Sequence, residues 1–182
     1  FDYITKPFDV QELRLRVRNA LKRVSQGSLT NPVTGLPEGA LVDERLSEII
    51  GKDGSALLFV LLDNMDSFRE AYGFVASDDV LRAISLMIVN TMREVSRPED
   101  FLGHLSGTDF VLVLPPSNLV ALGEKLRTRL DQSMEYFYPI KDRDQMAKRS
   151  DKLGAKIVEI PSLKTQFTTV DQIKAELQRN KK

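Results

Sequence analysis

The sequence predicts an α/β (α+β) fold, and two features carry that prediction. Residues 56–62 form an uninterrupted apolar run, which is typical of a strand buried on both faces. Two further apolar segments, residues 101–105 and 110–114, flank a short polar turn that contains glycine, as expected of a β-hairpin. The intervening and following segments carry apolar residues at helical spacing, so helices should cover the strands.

The composition describes an ordinary globular protein and excludes several kinds of function. The 182 residues suit one compact domain with an appendage. The 26 basic and 26 acidic side chains balance, so no overall field favours nucleic acid or a membrane as partner. Cysteine is absent, which excludes disulfides and thiolate chemistry. No apolar run approaches the ~20 residues that cross a bilayer, and we expect a cytoplasmic location.

The first 27 residues predict a separate unit. Residues 1–8 resemble the strand end that closes a response-regulator receiver domain, with Lys6 and Pro7 in its Lys-Pro pair; an exposed strand ended by proline is the alternative. We expect this stretch to be mobile or borrowed by a neighbouring molecule, and the chain to be part of a longer regulator. Residues 9–26 predict a helix with an apolar seam, which either forms a stalk that pairs with a second chain or partner, or faces a core.

The remaining residues, 28–182, predict one domain with further helices and a late strand. Pro37 suits the first turn of a helix that Gly51 ends, and Ser77 suits the N-cap of a helix reaching about residue 95. Later elements are a helix from Ser117 or Asn118, a strand over 155–160, and a last helix opening at 168–172. Residues 141–152 predict an exposed loop, whose role as a partner site has no support.

Three segments, residues 31–37, 57–81 and 103–115, resemble the GGDEF, or diguanylate cyclase, domain. The resemblance implies a nucleotide-cyclase-like GGDEF fold, with a central, mostly antiparallel sheet, flanking helices and an N-terminal helical stalk. It also implies an activity, the condensation of GTP into cyclic di-GMP with magnesium. The family's signature turn is written in this chain as Ser106, Gly107, Thr108, Asp109 and Phe110.

Two departures from the family pattern predict that the cyclase is degenerate. The family's first metal-binding aspartate falls on Leu61, with Asp63 retained two positions later, and the third signature residue, normally acidic, is Thr108. Magnesium prefers carboxylate oxygens, which a leucine and a neutral hydroxyl do not supply. We therefore expect no catalytic residues, no metal site and no bound magnesium or GTP as cofactors.

The positions that contact the nucleotide in the family are also altered. The guanine-contacting asparagine falls on Arg69, and a basic position falls on Asp66; Asp78 keeps the second guanine-reading carboxylate. Asp78 could instead serve the positive end of a helix dipole, which is the simpler interpretation. The family's phosphate-binding lysine cannot be assigned to Lys174 or to Lys181.

An Arg-x-x-Asp motif precedes the hairpin. Arg97 and Asp100 match the family's inhibitory site for cyclic di-GMP, because Asp100 lies six positions before Ser106. A guanidinium fork suits a phosphate or a guanine edge. The alternative is a surface ion pair of little energetic value. The single histidine, His104, is expected to be a partly exposed strand residue rather than a metal ligand.

Three functions follow from these observations. The preferred one is a non-catalytic GGDEF-like output or interaction domain of a bacterial two-component response regulator, acting as a homodimer or on a partner protein through its N-terminal helix. The first alternative is a cyclic di-GMP receptor that uses Arg97 and Asp100. The second is a diguanylate cyclase or GTP-binding switch with an altered site, in which Asp63, Asp78 and Asp109 gather a cation.

Overall fold

The computed structural model describes Arg14 and residues 29–95, 97–164 and 166–181. The receiver-like strand end and the stalk helix, predicted over residues 1–27, lie outside the described residues except for Arg14, which is helical and exposed. Their predictions, including the domain boundary at residue 27, stay predictions.

A four-stranded antiparallel sheet forms the centre of the described region. Its order is β2-β3-β1-β4, so the predicted hairpin lies on one side of the central strand and the late strand on the other. The strands are β1 (Ala56–Asp63), β2 (Phe101–Ser106), β3 (Asp109–Leu114) and β4 (Gly154–Ile160). The antiparallel sheet predicted from the family resemblance is therefore confirmed.

Helices cover both faces of this sheet. They are α1 (Ala40–Ile49), α2 (Met65–Val95), α3 (Pro116–Ser133), α4 (Arg143–Met146) and α5 (Val170–Lys181), with 3₁₀ turns at Met134–Phe137 and Ile140–Asp142. Side chains alternate along β1: Leu58 and Val60 join the core beneath α2 and α3, whereas Leu57 and Phe59 join the core beneath α1 and α5. The strand is thus buried on both faces, as its apolar run predicts.

Helix α2 differs from its prediction, because it begins at Met65 rather than near Ser77. The backbone of Gly73 takes φ 90° and ψ 173°, which interrupts the helix and restarts it at the next residue. Ser77 is consequently a buried residue inside the second segment and not an N-cap. Asp78 lies beyond the first turn of that segment, which removes the helix-dipole explanation proposed for it.

The start of α1 also differs from its prediction. The helix begins at Ala40, three residues after Pro37, and Gly51 with φ 74° follows its end as expected. Pro37 instead pairs with Thr30 in an isolated β-bridge. Its carbonyl oxygen accepts a hydrogen bond of 2.8 Å from the backbone N–H of His104, which ties the loop of residues 29–37 to β2.

Residues 141–152 are largely exposed, as predicted, but they form short helical turns that contact the rest of the domain rather than a free loop. The hydroxyl of Tyr72 donates a 2.7 Å hydrogen bond to Asp142, and the N–H of Leu153 donates one of 2.8 Å to the Tyr138 hydroxyl. Burial, followed by the bond to Asp142, raises the pKa of Tyr72 to about 12. The rings of Phe68, Tyr72 and Tyr138 pack at centroid distances of 4.8–5.8 Å. Aromatic contacts that sequence periodicity does not reveal hold this segment.

An ion-pair cluster joins the last turns of α2 to the second half of α3. Glu94 receives Arg129 at 2.7 Å and Lys125 at 3.1 Å, and Arg129 also donates to the Thr91 hydroxyl at 3.0 Å. The hydrogen bonds from Arg129 and Lys125 lower the pKa of Glu94 to about 2.

None of the helices in the described part of the chain is long and apolar enough to span a bilayer.

Candidate functional site

The signature turn is a tight hairpin between β2 and β3. Ser106 ends β2, Asp109 begins β3, and Gly107 and Thr108 form the turn between them. The strand pairing is irregular between His104 and Ser106, where the register shifts. The Ser106 hydroxyl donates a 2.5 Å hydrogen bond to Asp109 Oδ2, so the two ends of the turn are linked by their side chains. The hairpin prediction is confirmed.

The two positions that carry metal-binding carboxylates in the family lie in different surroundings. Leu61 is 1 % exposed and packs in the core beneath α1 and α5, opposite Asp109 in the β1–β3 pairing. Thr108 is half-buried on the turn. An apolar side chain in the core and a neutral hydroxyl at the surface supply no anionic ligand at either position.

Asp109 is the one fully buried carboxylate of the described residues, with 0 % exposure. Its Oδ2 accepts the Ser106 hydrogen bond and forms an ion pair with the Lys181 ammonium from the last turn of α5. Its Oδ1 receives no hydrogen bond from the described residues. The sequence pattern alone does not assign a role to Lys181. The signal in the sequence for this buried contact is that Lys181 lies four residues after Leu177 and eight after Ile173, on the buried stripe of α5.

Asp63 ends β1, next to β4. It pairs with Gly154 across the strands, and its Oδ1 lies 3.9 Å from the Lys156 ammonium. The next residue, Asn64, takes φ 66° and donates a 2.7 Å hydrogen bond to the Lys152 carbonyl. The left-handed backbone of Asn64 turns the chain from β1 into α2. Asparagine suits this position because it tolerates that conformation better than most residues.

The described residues contain no group of three or more His, Asp or Glu side chains that could hold a metal ion. Asp63, Asp78 and Asp109 therefore do not gather into the cation site considered as an alternative. Arg69 lies on the first segment of α2, 3.6 Å from Asp66 and with its guanidinium 5.3 Å from the Phe74 ring centroid. The Arg69 guanidinium therefore contacts Asp66 on its own helix and Phe74 directly after the Gly73 kink.

The structure brings Arg97 and Asp100 together in one turn. The Asp100 carboxylate accepts a 2.9 Å hydrogen bond from the Arg97 N–H, and its Oδ1 lies 3.7 Å from the Arg97 guanidinium. Arg97 also pairs with Glu99 at 3.1 Å. The side chain of Asp100 is only 3 % exposed, whereas that of Arg97 is 56 % exposed. The carboxylate thus closes the turn and the guanidinium remains accessible.

A cleft of about 440 Å³ lies beside this turn, between the end of α2 and β2. Its walls combine apolar side chains with the motif and with a second arginine, Arg93: Leu36, Val89, Met92, Pro98 and Leu102 supply the apolar part. A cleft with few polar groups on an apolar lining is typical of small-molecule sites.

His104 is buried, which contradicts the expectation of a partly exposed residue. It is 1 % exposed, its ring lies 4.5 Å from that of Phe110, and its Nε2 forms a 2.8 Å hydrogen bond with the Thr34 hydroxyl. Its Nδ1 has no hydrogen-bond partner among the described residues. Burial lowers the pKa of His104, so the ring is neutral at pH 7. The docked loop of residues 29–37 covers it, and this tertiary contact leaves no periodic signal in the sequence.

Comparison with known proteins identifies the family. The model of the family "Diguanylate cyclase, GGDEF domain" matches residues 28–181. The chain is 37% identical over 111 residues to the diguanylate cyclase DgcP of Pseudomonas aeruginosa, a match that covers 58% of this chain and 16% of that protein. It is 24% identical over 153 residues to the response regulator PleD of Caulobacter vibrioides, covering 72% of this chain and 33% of that protein. The chain therefore spans a third or less of these relatives.

Solved structures confirm the fold. The GGDEF domain of FimX from Pseudomonas aeruginosa aligns with a TM-score of 0.56 at 17% identity, covering 83% of this chain and 90% of that one. The coiled coil and GGDEF domain of DgcB from Caulobacter crescentus, solved in complex with c-di-GMP, aligns with a TM-score of 0.52 at 19% identity, covering 83% of both chains.

Proposed function

The chain belongs to the GGDEF, or diguanylate cyclase, domain family, and from that premise we propose that it is a non-catalytic member. In this proposal the domain transmits a signal through contacts with a partner protein or a second copy of itself, and it does not synthesise cyclic di-GMP. The location of Leu61 at the family's first metal-binding position carries the proposal.

The chemistry of the cyclase reaction explains why Leu61 argues against catalysis. Phosphoryl transfer from GTP relies on metal ions that neutralise the triphosphate and on precise positioning of the attacking hydroxyl. Leu61 on β1 faces the core, and Thr108 on the turn is neutral, so neither position supplies an anionic ligand. The nearby Asp109 carboxylate is engaged by Ser106 and Lys181. Among the described residues, no group of three or more acidic or histidine side chains takes the place of those anionic ligands.

Incubation of the chain with GTP and magnesium or manganese, followed by chromatography, tests the proposal. We expect no cyclic di-GMP above the sample without protein, while an active cyclase of the family gives product under the same conditions. A Thr108→Glu variant restores one carboxylate at the half-buried turn. It should also be inactive, because Leu61 still supplies no ligand. Product from the unaltered chain would contradict the proposal.

We further propose that the domain is the output unit of a cytoplasmic response regulator. The receiver-like residues 1–8 and the similarity to PleD support this. The apolar seam predicted over residues 9–26 would provide the pairing surface. Light scattering should then detect a dimer, and Val17→Asp within that seam should convert it to a monomer. A chain that is monomeric before the substitution would exclude this route of dimerisation.

A second candidate function is a cyclic di-GMP receptor, which the cleft beside Arg97 favours. Arg93 and Arg97 border its apolar lining, and two guanidinium groups suit a ligand that carries two phosphates. Calorimetric titration with cyclic di-GMP should give heat that Arg97→Ala abolishes. Arg45→Ala is the matched control, because Arg45 also pairs with a glutamate, Glu48 at 3.1 Å on α1. No heat from the unaltered chain, or equal heat from Arg97→Ala, would eliminate this candidate.

A further inference from the structure

Helix α5 places a charged residue at the end of a buried stripe. Ile173 and Leu177 are buried in the core beneath α1 and α5, and Lys181 follows at the same four-residue spacing. Positions separated by four residues lie above one another on a helix, so the three side chains share one face. The stripe is about 12 Å long, from a rise of about 1.5 Å per residue.

Strand β3 presents a matching series to the same core. Val113 and Val111 belong to that core, and Asp109 is the next position on the same face of the strand. These three positions span about 14 Å, from a rise of about 3.4 Å per residue. Two apolar residues followed by one charge therefore occur on both elements over a similar length, and the charges meet as the Lys181–Asp109 ion pair.

We propose that α5 is a clasp that holds the signature hairpin closed, with the Lys181 ammonium as its catch. The described residues supply Asp109 with one cation, Lys181, and one hydroxyl, Ser106. A buried carboxylate that loses its counter-ion is strongly unfavourable unless it reaches water. Release of the last turn of α5 would thus favour opening of β2–β3, so the order of α5 and the order of the hairpin are coupled.

The clasp is a statement about local order, and it does not depend on the catalytic state of the domain. Its test measures the opening of the hairpin, whereas the proposed function is tested by product formation from GTP. Either can fail while the other succeeds.

Amide hydrogen exchange measured by mass spectrometry tests the clasp in the full chain. Lys181→Met should accelerate exchange of residues 101–114 by about tenfold or more, because it leaves a buried charge unpaired. Lys174→Met is the matched control. Lys174 lies two turns earlier on α5 and pairs with Asp43 at 2.8 Å, where both side chains are more than 40% exposed. That variant should leave the hairpin unchanged.

Two further variants separate the charge pair from general loss of packing. In an Asp109→Asn background, Lys181→Met should cause little additional exchange, because the buried charge is already absent. Lys181→Arg keeps the charge and should retain most protection, and it serves as the comparison should Lys181→Met not fold. Equal effects of Lys181→Met and Lys174→Met on exchange of the hairpin would refute the clasp, as would an undiminished effect of Lys181→Met in the Asp109→Asn background. Loss of protection in Lys181→Arg, or acceleration of exchange spread uniformly over the chain, would also refute it.

Discussion

A methyl group at Gly103 would test how tightly the loop of residues 29–37 is docked on β2. A Cβ atom at this position would lie 2.8 Å from Val42 Cγ2, 2.9 Å from the Pro37 carbonyl oxygen and 3.1 Å from Phe101 Cε1. The first two separations are shorter than carbon atoms tolerate, and one of the obstructing atoms is backbone. The Gly103→Ala substitution therefore requires a shift of the loop or of α1.

The structure sets the size of the expected effect. Overpacking of a closely filled site costs typically about 1–3 kcal/mol. The Pro37 carbonyl also accepts the 2.8 Å hydrogen bond from the His104 N–H, so its displacement weakens a bond worth about 1 kcal/mol. We expect Gly103→Ala to lower the free energy of unfolding by about 2–4 kcal/mol, the sum of these two contributions.

Urea denaturation followed by circular dichroism measures this loss, and Gly107→Ala is the control. A Cβ at Gly107 meets nothing within 4 Å, although the residue lies only four positions further along the same hairpin. The control should change the free energy of unfolding by about 0.5 kcal/mol or less. A Gly103→Ala chain as stable as the unaltered one, or a control that loses as much, would refute the docking described for the loop.

Three other predictions follow from single contacts. Burial lowers the pKa of His104, so the unfolded chain takes up the proton at a higher pH than the folded chain. The free energy of unfolding should therefore fall below about pH 6.5, by up to about 1.4 kcal/mol per pH unit. Denaturation at two pH values should show that His104→Gln removes this slope. The pKa of Glu94 is lowered from 4.5 to about 2. Its pairing with Arg129 therefore stabilises the fold above pH 4.5, and this stabilisation is lost as the pH falls through about 2. The melting temperatures of Glu94→Gln and the unaltered chain should differ at neutral pH and converge near pH 2. Tyr138→Phe leaves the buried Leu153 N–H without its acceptor and should cost about 1–3 kcal/mol in urea denaturation, and a loss below a few tenths would show that another acceptor replaces the hydroxyl.

Local patterns predicted most of the secondary structure because they depend on neighbours in the sequence. The apolar run of β1, the hairpin around residues 106–109 and the stripes of α3 and α5 follow from the periods of strands and helices. The pattern does not predict the kink at Gly73, since a glycine inside a helical pattern shows no sign of whether the chain uses its conformational freedom. The pattern also predicts the start of α1 three residues too early, because Pro37 suits a first helical turn and an isolated bridge equally well.

The sequence by itself determined the sheet, its covering helices and the chemical identity of the residues at the signature turn, because these depend on side-chain type and spacing along the chain. Only the tertiary structure decided that His104 is buried beneath the loop of residues 29–37, that Tyr72 holds Asp142, and that Lys181 pairs with Asp109. Each of these contacts joins residues about 70 positions apart. Its energy depends on burial and distance, and both quantities exist only once the chain has folded.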